Sequence, residues 1–119
     1  MNWYITKIVY RIICGDGNHT AQFDEQLRLI NAGNEDEAFE KSKSLGKQGE
    51  DNFYNQEKLL VCWKFVNVSE LYPINELIDG AEIYSRIKEV NDAEGYSTFV
   101  NKKAAAIVEK QKDALLNIT

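Results

Sequence analysis

Cys14, Asp16 and His19 stand close together in Cys14-Gly15-Asp16-Gly17-Asn18-His19, and His19 is the single histidine of the chain. A thiol nucleophile, its base and an orienting carboxylate are made from these residue types. A structural zinc site draws on the same set but wants four ligands, and of the two cysteines only Cys62 remains to join it. The two glycines fit a simpler role. Each suits a turn position of positive φ, with Asp16 and Asn18 free to bond their own backbone. Cys14 closes an apolar run that carries its thiol inward. The stretch therefore reads as a hairpin turn, with no catalytic residue, no metal and no cofactor. Gly-x-x-x-x-Gly-Lys-Ser/Thr, Gly-x-Ser-x-Gly, His-Glu-x-x-His and Gly-x-Gly-x-x-Gly do not occur elsewhere either.

Glu25 offers a second chemistry. Alternation through residues 22–32 sets it beside Phe23 and Leu27 on the side turned toward the helices, and a buried carboxylate must be paired or protonated. Tyr10 and Ser85 bring hydroxyls to the same layer. Glu25, Tyr10 and Ser85 are thus the candidate ligand-binding residues, and with them stands the alternative of a small-ligand-binding or enzymatic domain. One carboxylate without a second acid–base group is not a catalytic constellation. The residues favour a protein that is not an enzyme.

The elements that must position these groups follow from periodicity and punctuation. Residues 3–14 are rich in aromatic and β-branched side chains and read as a strand, and residues 22–32 as its return. Asn34 with Glu37 makes a capping-box start, followed by a helix with Ala38, Phe39, Ser42 and Leu45 on one face and Gly46 or Gly49 at its end. Residues 51–58 are polar and connecting. Residues 59–70 form the most apolar strand, central in its sheet. After a long turn through Pro73 and Gly80, residues 81–90 read as a fourth strand. Asp92 opens a last helix with Tyr96, Val100, Ala104, Ile107, Val108, Gln111 and Leu115 on one stripe. The expected fold is α+β: a single domain over residues 1–119, a four-stranded antiparallel sheet with two helices on one face, in the order β-β-α-β-β-α.

Alternation then assigns an open sheet face. Lys7, Val9, Arg11, Arg28, Lys64, Tyr84 and Arg86 are its candidate interface residues, a mixture of cations and apolar groups unlike a uniformly solvated surface. Self-association through this face, as a homodimer, is the leading expectation. The formal net charge of −5 argues against generic binding to nucleic acid or to an anionic membrane. It leaves room for a basic protein partner, masked as an immunity-type protein masks its target. The opening residues lack a basic segment followed by a long apolar one, and both cysteines sit in apolar runs, so the expected location is the cytoplasm.

Several stretches together resemble a bacterial family known as domain of unknown function 4288. They are Trp3-Tyr4, Lys7-Ile8-Val9-Tyr10-Arg11-Ile12, Phe23-Asp24-Glu25-Gln26-Leu27-Arg28-Leu29-Ile30 with Ala32, Glu37-Ala38, Trp63-Lys64-Phe65-Val66-Asn67-Val68 and Gly80-Ala81-Glu82-Ile83-Tyr84-Ser85. The resemblance covers roughly residues 3–90 and implies a small bacterial α+β domain. It implies no activity.

Overall fold

The computed structural model describes residues 1–118, and its elements follow in the order β1 (Asn2–Cys14), β2 (Gln22–Ala32), α1 (Glu35–Gln48), β3 (Asp51–Tyr54), β4 (Leu60–Ile74) and α2 (Ala93–Ile118). The four strands form one antiparallel sheet in the spatial order β2-β1-β4-β3. The α+β class, the four-stranded antiparallel sheet and the order β-β-α-β-β-α are as expected, but two strand assignments change. Residues 81–90 form no strand, and residues 51–58 are not mere connection. β3 takes the place beside β4, closed by a short turn in which the Asn55 side chain accepts the N–H groups of Glu57 and Leu59, each at 3.0 Å. A local hairpin closes at a smaller entropic cost than a return from residue 81. β4 also continues past residue 70, through Pro73 to Ile74.

The chain resolves into two compact units, Met1–Ser85 and Arg86–Thr119. In the first, α1 starts where the capping box places it. The Asn34 side chain accepts the Glu37 N–H at 2.8 Å, and Glu37 in turn accepts the Gly33 N–H at 3.1 Å. Three acidic residues in its first turn complement the helix dipole. The buried residues of α1 are Ala38, Ser42 and Gly46, all small and four apart, so the helix lies close against the sheet. At Gly46 there is no space for a β-carbon, because the Phe65 ring occupies it. The Tyr10 hydroxyl donates to the Gly46 carbonyl at 2.8 Å, and its ring meets Trp63 and Phe65 at centroid distances of 6.1 Å. Tyr4, Ile30, Ala32 and Ala38 make the buried cluster beside it, flanked by Leu45 and Leu71.

β1 and β2 pair without a shift from Asn2↔Ala32 to Ile12↔Gln22. The pairing of β1 with β4 carries two shifts, one between Lys7 and Ile8 and one between Val9 and Tyr10. Each leaves one residue of β4 unpaired, Ser69 at the first and Val66 at the second. In the second unit, Asp92 caps α2, its side chain accepting the Gly95 N–H at 3.0 Å. The apolar stripe of α2 includes Val100, Ile107 and Leu115, all exposed, and among the described residues its unit contains no second helix or strand.

Candidate functional site

Register decides which side chains share a face, because directly opposed residues of a sheet point the same way. On the side away from α1, Ile5, Lys7, Val9 and Arg11 of β1 lie beside Leu29, Leu27, Glu25 and Phe23 of β2. Across β1 they lie beside Tyr72, Glu70, Asn67 and Lys64 of β4. Lys7, Val9, Arg11 and Lys64 are therefore brought to one open face, as expected. Arg28 is not. It opposes Thr6 on the α1 side, in phase with Ile30 and Ala32. The expected phase of β2 is reversed, and Phe23, Leu27 and Leu29 turn to the open face, where each remains more than half exposed.

Glu25 moves with them. It opposes Val9 on the open face, with its side chain 59% exposed and 4.0 Å from the Lys7 ammonium. Tyr10, its expected neighbour, is buried on the other side of the sheet against α1. Ser85 is exposed and lines a shallow hollow with Tyr72, Pro73 and Asn75. The three ligand-binding candidates do not meet, and Glu25 lies open to solvent rather than buried between sheet and helix.

The centre of the open face holds a cluster that pattern reading passes over. Lys7 Nζ lies 3.3 Å from Glu70 Oε2, and the Tyr72 hydroxyl donates to Glu70 Oε1 at 3.2 Å. The Tyr84 ring meets Tyr72 edge to face at 5.5 Å, so Tyr84 reaches this face through Tyr72. The bond to Glu70 raises the Lys7 pKa, burial opposes it, and the charges of Glu25 and Glu70 add to the rise. Burial raises the Tyr72 phenol, helped by Glu70. Ile5 and Ile74 are buried on the same side. Glu70 is the last residue of the expected strand and Tyr72 lies beyond it, next to Pro73. Arg86, the last interface candidate, belongs to the second unit.

At the hairpin tip, an open cleft of about 780 Å³ is lined by Cys14, Asp16, His19, Thr20, Gln22 and Leu59 among others. His19 Nε2 accepts the Cys14 backbone N–H at 3.0 Å, which leaves the ring proton on Nδ1, where it is donated to the Thr20 carbonyl at 2.8 Å. Both ring nitrogens are thus engaged by backbone. The Cys14 sulfur accepts instead from Asn55 Nδ2 at 3.6 Å. Gly15 and Gly17 have φ of 61° and 81°, the left-handed values that the turn requires. The histidine works as a clasp for the turn. Among the described residues, no group of three or more His, Cys, Asp or Glu side chains is arranged to hold a metal ion.

Residues 3–85 match the family model described as Domain of unknown function (DUF4288). The chain belongs to this family. The DUF4288 match ends at Ser85, the last residue of the first compact unit, and α2 lies beyond it. No curated protein and no solved structure matches the chain. Among the described residues, no helix of this DUF4288 protein is long and apolar enough to cross a membrane.

Proposed function

We infer that this DUF4288 chain is a non-enzymatic, cytosolic protein-interaction module that works as a homodimer through its open sheet face. The observation that carries the reading is the contrast along β2. Phe23, Leu27 and Leu29 alternate as a buried strand face does, yet nothing in their own unit covers them. Apolar residues on one side of a regular strand, bordered by Lys7, Arg11 and Lys64, have the composition of an interface with a polar rim. The Tyr10–Glu25 separation weighs against a ligand site between sheet and helix, and the two free cysteines suit a reducing compartment.

Light scattering on a sizing column tests the reading. A mass near twice the 13.6 kDa of the chain supports it. Leu27→Asp, which places a charge in the middle of the apolar row, is expected to return the protein to a monomer. A wild-type monomer at high micromolar concentration would sink the proposal.

A further inference from the structure

β2 is an edge of the sheet, so alternate residues along it turn their N–H and C=O groups away from β1 with no described strand beyond them. It is 11 residues long, contains no proline and pairs with β1 without a bulge. A second copy of the same strand is one partner such an edge can accept, and symmetry narrows how. A two-fold axis perpendicular to the sheet demands antiparallel pairing about a central residue, with side chains on each face kept on that face.

The order of residues in β2 then selects a register. Centred on Gln26, the pairing opposes Asp24 to Arg28 and Phe23 to Leu29, with Glu25 opposite Leu27 and Gln22 opposite Ile30, and symmetry repeats each pair. Centring one residue earlier opposes Glu25 to Glu25. Centring one residue later opposes Asp24 to Ile30. The charged row is also laid out in advance. Arg28 Nε donates to Gln26 Oε1 at 3.3 Å, and Gln26 Nε2 donates to Asp24 Oδ2 at 2.6 Å. An ordered row with a cation at one end and an anion at the other complements its own antiparallel copy.

We propose that two copies join by antiparallel pairing of their β2 edges in the register centred on Gln26, fusing two four-stranded sheets into one. On the open side, Phe23 of each copy packs on Leu29 of the other, and the aliphatic stem of Glu25 lies against Leu27 of the other. On the α1 side, two Asp24–Arg28 ion pairs flank Gln26. This geometry rests on the self-association proposed above but seats it at the β2 edge, with the two open faces side by side rather than stacked.

The test is a charge swap read by light scattering and analytical ultracentrifugation on the full chain. Arg28→Asp and Asp24→Arg each set like charges opposite one another, and each is expected to weaken the dimer on the order of tenfold or more. The double variant Asp24→Arg/Arg28→Asp restores opposition of unlike charges in this register alone, and its dimer is expected to return. Gln26→Cys, in a chain carrying Cys14→Ser and Cys62→Ser, should form a symmetric disulfide under mild oxidation. Circular dichroism of each variant confirms the fold. A wild-type monomer overturns both the dimer and its geometry. A dimer that Leu27→Asp dissociates but that ignores the Asp24 and Arg28 variants, and does not crosslink at position 26, overturns the edge pairing and leaves the open-face reading standing.

Discussion

The two faces of the sheet are built from the same strands by opposite means. One is closed by α1, with Tyr10, Phe65 and Gly46 fitted together and Ile30, Ala32 and Ala38 buried next to them. The other keeps a tethered cluster of Lys7, Glu70, Tyr72 and Tyr84, beside which three large apolar side chains of β2 stand in solvent. β2 changes its apolar phase between Leu29 and Ile30, so one strand serves both faces in turn. Alternation marks residues that share a side, and it is silent about which side a helix will cover. The difference teaches that apolar alternation without burial is a statement about assembly as much as about folding.

The largest expected effect that separates the faces is steric. Gly46→Val drives two methyl groups into the Phe65 ring and should cost about 3 kcal/mol in urea denaturation. Leu27→Ser, on the other face, should change the stability of the isolated chain by no more than about 0.5 kcal/mol while abolishing self-association. If the two substitutions cost the same in stability, the open face is part of the core and the contrast fails.

A smaller separation comes from Tyr10→Phe, which leaves the Gly46 carbonyl only the Gly49 N–H as donor and should cost about 1 kcal/mol with no effect on the mass in solution. Alkaline pH then acts on both faces. Burial raises the pKa of Tyr10, and Lys7 and Tyr72 are raised on the open side. A group whose folded pKa exceeds its unfolded value stabilises fully below the unfolded value and loses that contribution as pH climbs through the folded one. These groups should therefore leave the urea midpoint unchanged between about pH 7 and 9 and lower it above about pH 10. Tyr10→Phe should make that alkaline fall shallower, and an unaltered profile would remove Tyr10 from the account. The smallest effect is expected at Thr6, whose buried hydroxyl oxygen has no hydrogen-bond partner among the described residues. Thr6→Val should raise stability by about 1 kcal/mol or less, read from the same denaturation curves.

Local chemistry was legible in the sequence wherever neighbours in the chain decide the outcome. The Asn34 cap, Ala38 and Ser42 on the inner face of α1, the glycine turn at residues 15–17 and the Asp92 cap all rest on interactions spanning a few residues. Register was not legible, because it depends on how many residues the β1–β2 turn consumes. A turn that pairs Ile12 with Gln22 puts Glu25 and Phe23 on the open face, whereas a turn shifted by one residue would bury them. β3 escaped notice because its hairpin turn contains no glycine and sets Lys58 at φ 65°. The faces are therefore legible in part: alternation places the β1 cations on the open side but sets the apolar row of β2 on the wrong one.

The two unpaired residues of β4 carry a consequence for how this gene can change length. Below Val66, odd-numbered residues of β4 share the α1 side with Tyr10; beyond Ser69, odd-numbered residues again share it with Thr6. Between the two positions the parity is even, as at Val68 opposite Ile8. Loss of the codon for either unpaired residue would remove one bulge and leave every remaining residue opposite its present partner and on its present face. Loss of a paired residue elsewhere in β4 would instead turn one arm of the strand inside out relative to the other. Viable single-codon deletions within the strand should accordingly gather at these two positions.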